Sequence, residues 1–274
     1  VKFSCTLWLS CPDLSFEKSA ELVSGAGYPA IEIPAVLQAN PDELTQNDIK
    51  AMRMILERNN LEVSALCLMY PKDFCHASRF ESERSRSLEY TKKLIDLASQ
   101  IGAGILVWGS GYARNIPAGI SREVGMRRLL QLLEQSARYA MERHVTIAIE
   151  PLNRYESTVI NTVHDSIETV SRVGSPALTV LCDTFHMNIE EASLRDPIIE
   201  AGRLLGHVHV SDSNRAIPGK GHLNFGEVFD ALRNVRYDGY VTVEAILGTD
   251  ISSDLEAARR YLERFADETS VHPP

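Results

Sequence analysis

Eight short runs of apolar and β-branched residues punctuate the chain, and longer stretches with apolar positions at helical spacing separate them. The runs begin near Phe3 (FSCTLW), Ala30 (AIEI), Glu62 (EVSALCL), Gly104 (GILVWG), Val145 (VTIAIE), Leu178 (LTVLCD), His207 (HVHVSD) and Tyr240 (YVTVE). Each predicts a strand. Helices are predicted over Phe16–Ser24, Leu44–Asn59, Ser82–Ile101, Arg122–Arg143, Asp165–Val173 and Gly226–Val235. Stop signals stand at their ends: Gly25 and Gly27, Asn59 and Asn60, Gly102, Gly174 and Gly206. The strand runs are mostly apolar throughout rather than alternating, as in parallel strands buried on both faces. Eight strand–helix units recur at roughly 30–40-residue spacing, and a closed (β/α)8 barrel takes about 250 residues. An open doubly wound sheet would bring a glycine-rich loop after its first strand. The segment SCPDLSFEK found there is not one. No linker-like tract divides the chain. The prediction is an α/β protein, a single (β/α)8 TIM barrel over 1–274.

Composition narrows the partners. The chain is 44% hydrophobic and 24% charged, enough apolar surface for a core. With 28 basic and 37 acidic residues its formal charge is −9, the wrong sign for a general nucleic-acid surface. No apolar run is long enough for a membrane span, and no signal peptide is visible at Val1. Five cysteines without a CxxC suit a reducing cytoplasm rather than a disulfide framework or structural zinc. Cys67 and Cys182 sit in apolar runs and are expected to pack as small hydrophobes.

The active-site mouth of a barrel lies at the C-terminal ends of its strands. Read there, the fifth run ends in Glu150, the sixth in Asp183 and the eighth in Glu244, while the seventh contains His209. These positions are 33, 26 and 35 residues apart, about one β/α unit each. Three carboxylates converging without a cation would repel one another and raise each other's pKa. A divalent metal resolves this. Three oxygen donors and one imidazole favour Mn²⁺ or Mg²⁺, with Co²⁺ and Zn²⁺ as alternatives.

Longer polar segments flank these positions: EPLNRYES from Glu150, DTFHMNIEE from Asp183, and HVSDSNRAIPGKGH from His209. In them the chain resembles the sugar isomerase/epimerase superfamily of xylose isomerase-like barrels. It is most similar to the metal-dependent ketose 3-epimerases of the D-tagatose 3-epimerase type and to epimerases of 5-keto-gluconate-type acids. The likeness spans Glu150 to Glu244, about a third of the chain. It implies that Glu150, Asp183, His209 and Glu244 are metal ligands and that Glu150 and Glu244 are also the catalytic acid/base pair. It further implies that Glu156, His186 and Arg215 contact a small-molecule sugar, and that the protein self-associates as a dimer or tetramer.

The implied reaction is epimerisation of the carbon beside the ketone of a ketose or keto-acid sugar. A proton next to a ketone is weakly acidic, and its removal needs the enediolate charge to be held by a cation. Inversion needs two acid/base groups, one on each face. One base moving a proton between neighbouring carbons gives an isomerase of aldoses, keto-inositols or hydroxypyruvate instead. A DNA-repair endonuclease on the same barrel would need more rim histidines and a basic face. A non-catalytic sugar-binding barrel would not need the acid/base pair.

Other positions carry two readings each. Trp8 and Trp108 either wall the sugar or pack in the core. Glu32 stands behind the metal ligands or touches substrate. Tyr112 and Arg114 follow the fourth strand in a loop able to close over substrate. Arg215 and Lys220 follow the seventh strand, where barrels place phosphate sites. Lys220 reads more simply as a solvated lysine, and His222 has a weaker claim on the site. Gly219 and Gly221 permit a tight turn that aims Arg215 inward. His207 reads as packing or support for His209. His76, His144 and His164 are given no role.

Overall fold

A computed structural model describes residues 1–266. The last eight positions of the predicted domain lie outside the described residues. Eight parallel strands close into a barrel in sequence order. They are β1 (Lys2–Thr6), β2 (Ala30–Pro34), β3 (Glu62–Cys67), β4 (Ile105–Trp108), β5 (Thr146–Ile149), β6 (Leu178–Asp183), β7 (Leu205–Val210) and β8 (Tyr240–Glu244). The barrel closes through the β1–β8 register, with Thr6 beside Glu244.

The outer helices begin where the sequence offers side-chain caps. Ser15, Thr45, Ser121, Thr162 and Asn224 each accept an N–H from the residue three positions on. Helices Glu81–Ile101 and Val163–Val173 end on left-handed Gly102 and Gly174. The segment between β6 and β7 differs from expectation. It holds two short helices, Thr184–Glu190 and Arg195–Ala201. Gly206 is not a helix stop but lies inside β7. It is glycine because a Cβ there would come within 2.2 Å of Thr179 Oγ1 on β6.

The barrel interior has two halves. Ala65, Cys67, Val107, Ala148 and Leu181 form an apolar cluster contributed by β3 to β6. The other half is polar and hydrogen-bonded: Ser4 to Thr242, Thr242 to His207, and His207 to Glu32. An apolar half fits parallel strands buried on both faces. The polar half breaks that pattern because it stands behind the site.

Outside the barrel, His76 is 1% exposed, stacked on Trp108 and edge-on to Tyr70. Neither ring nitrogen has a hydrogen-bond partner among the described residues. Burial, and secondarily the charge of Arg114, pushes its pKa down to about 3. In the unfolded chain it titrates near 6.5. Between those values the unfolded chain binds a proton that the folded chain refuses, so stability falls as pH drops through 6.5. By pH 5 the loss is about 2 kcal/mol. His76→Phe removes this loss, so its decrease in unfolding free energy from pH 8 to pH 5 is smaller than the parent's by that amount. Denaturant titrations at the two pH values measure it. Equal pH dependence in both proteins would contradict a buried neutral imidazole.

Candidate active site

Four side chains meet at the mouth. Glu150 immediately follows β5, Asp183 and Glu244 are the last residues of β6 and β8, and His209 is the penultimate residue of β7. One donor atom from each lies within 4.8 Å of the others, and all four residues are buried. His209 Nδ1 is 3.3 Å from Glu150 Oε1, 3.3 Å from Glu244 Oε2 and 4.0 Å from Asp183 Oδ2.

Each is oriented by neighbours. Glu150 has its backbone carbonyl held by Arg114 Nη1 at 2.6 Å, and its carboxylate lies against Gly109. A Cβ at Gly109 would sit 1.8 Å from Glu150 Oε2, so any larger residue there would push the carboxylate from this position. Asp183 caps the helix Thr184–Glu190. Its Oδ1 accepts from the amides of Phe185 and His186, leaving Oδ2 buried and, among the described residues, without a hydrogen bond, with Arg215 Nη1 3.6 Å away. Glu244 accepts from Trp8 Nε1 at 2.7 Å and from Arg215 Nη2 at 2.6 Å. His209 Nε2 faces Glu32 Oε1 at 3.0 Å. A carboxylate only accepts, so Nε2 carries a ring proton and Nδ1 is the nitrogen aimed at the cluster, the one a metal ion would take. Nδ1 too has no hydrogen-bond partner among the described residues.

The charge balance asks for a cation. Burial alone would depress the His209 pKa, yet Glu32 and Glu244 drive it well above the usual imidazole value. Burial raises Glu150 above the ordinary carboxylate range despite His209. Glu244, which burial would also raise, is instead held low by Arg215 and then His209. Two orphaned buried donor atoms, Asp183 Oδ2 and His209 Nδ1, stand beside two glutamates. That set fits a divalent ion with a preference for oxygen ligands. Glu150, Asp183, His209 and Glu244 are the residues that would hold it.

A cleft of about 420 Å³ opens over this cluster. Glu156, His186 and Arg215 all line it. Asn153, which sequence reasoning passed over although it stands inside EPLNRYE, organises two of them. Its Oδ1 accepts from the Tyr155 amide, turning Nδ2 toward Glu156 Oε1 and His186 Nδ1, each at 2.8 Å. The Asn153 amide also donates to His186 Nδ1. His186 therefore carries its proton on Nε2, which lies 3.7 Å from Asp183 Oδ2 and 3.9 Å from Glu150 Oε1. Arg215 lies over the Phe185 ring, and its Nε is buried with no hydrogen-bond partner among the described residues.

The paired readings separate cleanly. Trp8 lines the cleft, whereas Trp108 is 2% exposed and packs against His76 and Arg114. Tyr112 lines the cleft, but Arg114 does not close over it. Arg114 is fully buried and donates to the backbone carbonyls of Trp108, Glu150 and Ile160. Glu32 is fully buried behind His207 and His209 and stays clear of the cleft. Cys67 lines the cleft as well as packing in the barrel. Lys220 and His222 are exposed and do not line it.

Comparison with known proteins agrees with this architecture. The pattern of the xylose isomerase-like TIM barrel family matches residues 20–265. The chain is 29% identical over 264 residues to the D-psicose 3-epimerase of Enterocloster bolteae, covering 92% of this chain and 85% of that one. It is 31% identical over 211 residues to the 3-dehydro-D-guloside 4-epimerase of Escherichia coli, covering 74% and 79%. The crystal structure of the D-allulose 3-epimerase of Methylomonas sp. in complex with D-allulose superposes with a TM-score of 0.84 over 96% of both chains. At 24% identity that likeness is one of fold. The chain belongs to the xylose isomerase-like TIM barrel family.

Proposed function

We propose that the protein is a metal-dependent sugar epimerase that inverts the carbon beside the ketone of an uncharged ketose. The observation that carries this is the pair Glu150 and Glu244. They extend from β5 and β8, each 3.3 Å from the same His209 nitrogen. Two carboxylates approaching one centre from different strands suit proton removal on one face and delivery on the other.

Their environments divide the work. Glu244 is held ionised by Arg215 and is the base that takes the proton. Burial raises the pKa of Glu150, which suits it to deliver the proton on the other face. In the reverse direction the roles exchange. Arg215 and His186, which both line the cleft, are the groups that would hold the oxygen on which negative charge develops. A bound divalent ion, Mn²⁺ or Mg²⁺ by donor type, would polarise the carbonyl and offset that charge.

The cleft also argues for an uncharged substrate. Arg215 is the one lysine or arginine among its described lining residues, and it is already committed to Glu244. A phosphate or carboxylate on the sugar would have no cation to meet. Away from the cluster the walls are mostly apolar, with Leu9, Leu68, Val107, Leu152 and Ile246.

The test is proton exchange. Metal-stripped protein reloaded with Mn²⁺ is incubated in D₂O with free ketoses, keto-acid sugars and sugar phosphates, and products are read by NMR. Deuterium entering an inverted carbon beside the ketone of a free ketose is the expected result. An aldose product would make the enzyme an isomerase, and turnover of phosphorylated sugars alone would overturn the uncharged-substrate reading.

A further inference from the structure

The loop between β7 and the helix Phe225–Asn234 carries Arg215 in an uncommon backbone conformation. Its φ is 60°, in the left-handed region. A long side chain adopts this conformation where its surroundings hold it there. The surroundings are built around one buried acid. Asp212 is 1% exposed, and its carboxylate accepts three backbone amides of the loop. Oδ1 takes Ser213 N–H at 2.8 Å and Leu223 N–H at 3.0 Å, and Oδ2 takes Gly219 N–H at 2.9 Å. Its own backbone closes the turn around the arginine. Arg215 N–H donates to the Asp212 carbonyl at 2.8 Å, and Asp212 N–H donates to the Ala216 carbonyl at 2.8 Å. The Arg215 carbonyl then accepts Ile246 N–H at 2.6 Å, tying the loop to the segment that follows Glu244.

Asp212 does not line the cleft and makes no ion pair among the described residues. Its reach ends at the backbone that presents Arg215. We propose that Asp212 is a positioning residue for the reaction, acting through Arg215. Its carboxylate fixes the loop so that the guanidinium reaches Glu244, Asp183 and the open cleft. This rests on the reading above that Arg215 meets the charge developing on substrate.

The chemistry requires a carboxylate rather than an amide. All three partners are donors, and an ionised carboxylate offers acceptor sites only. Asparagine of the same size would place an NH₂ against an N–H on one side. Gly221 belongs to the same device, since a Cβ there would lie 2.1 Å from Asp212 Oδ1. A misplacement of about 1 Å by a change away from the chemistry costs on the order of 10²-fold in rate.

Asp212→Asn, Arg215→Ala and the double variant are compared as Mn²⁺-loaded enzymes for kcat, KM and Mn²⁺ affinity on a ketose found by the exchange assay. Asp212→Asn is expected to lose about 10²-fold in kcat. Its Mn²⁺ affinity should stay near the parent's, because no ligand is touched. The double variant is expected to be no worse than Arg215→Ala, the non-additivity of residues acting as one unit. A merely structural role would weaken metal binding and multiply with the arginine loss, which overturns the proposal. Impaired Arg215→Ala beside unimpaired Asp212→Asn overturns it alone. Unimpaired Arg215→Ala overturns the reading of Arg215 and this proposal with it. Should Asp212→Asn not fold, Gly221→Ala displaces the same carboxylate. It must then lower kcat with metal affinity retained, and parental kcat in that variant rejects the proposal.

Discussion

Glu150→Gln and Glu244→Gln each abolish inversion, with kcat falling by about 10²–10⁴-fold or more, while each leaves proton exchange with one epimer. Glutamine keeps the volume of the side chain and an oxygen able to accept a hydrogen bond. It cannot take or give the proton. In Glu150→Gln, Glu244 remains ionised beside Arg215 and Trp8. It still removes the proton presented to its face and returns a solvent deuteron to the same face. One epimer therefore gains deuterium without inverting. In Glu244→Gln the other epimer does so, through Glu150. Incubation of each pure epimer in D₂O with each variant, followed by NMR, reads the pattern directly. Both glutamates also belong to the cluster that would hold the ion. Mn²⁺ occupancy is therefore measured in the same samples, so that loss of metal is not mistaken for loss of a base. Full inversion in either variant, or exchange of the same epimer by both, would sink the two-base mechanism.

Glu150, Asp183, His209 and Glu244 were legible because strand ends are legible. Each sits at or next to the end of an apolar run, and a parallel barrel turns that position into a place on the rim. Glu156, His186 and Arg215 are singled out by a resemblance alone, and the structure adds that all three line one cleft. What stayed hidden depends on register and on contacts between distant parts of the chain. Trp8 and Trp108 both stand near strand ends. Trp108 follows Val107, which faces the barrel interior, and successive side chains of a strand point to opposite faces. Trp108 is thus turned into the helix layer, while Trp8 lies two residues past β1 and reaches over the mouth. Arg114, a long cation in a glycine-containing loop, reads as a surface lid. Only the fold brings it three backbone carbonyls from separate strands and loops. Asp212 is one polar residue among several in its loop, and its part depends on which amides fold back onto it.

Glu32→Gln weakens metal binding by about 10–100-fold while touching none of the four residues that would hold the ion. Glu32 is fully buried on β2, across the barrel from β7. Burial would raise its pKa, but His209 and His207 outweigh burial and hold it well below the ordinary carboxylate range. As an ionised acceptor its Oε2 takes the Nε2–H of His207 at 2.7 Å and of His209 at 3.2 Å, while Oε1 lies 3.0 Å from the same His209 nitrogen. That double acceptance keeps a proton on His209 Nε2, so Nδ1 is the nitrogen offered to an ion held with Glu150, Asp183 and Glu244. Glutamine carries no charge, and with its oxygen in the Oε2 position it puts a donating NH₂ where Oε1 stood, 3.0 Å from His209 Nε2. If its oxygen stays on His207, the NH₂ faces His209 Nε2, and that nitrogen must become an acceptor. The ring proton then moves to Nδ1 and occupies the lone pair aimed at the cluster. Titration of metal-free parent and variant with Mn²⁺, followed by calorimetry, measures the loss. Activity is expected to recover largely at saturating Mn²⁺, because Glu150, Glu244, His186 and Arg215 are untouched. A variant that binds Mn²⁺ as tightly as the parent would show that Glu32 does not set the His209 tautomer. One that binds normally yet stays inactive would place Glu32 in the chemistry rather than behind it.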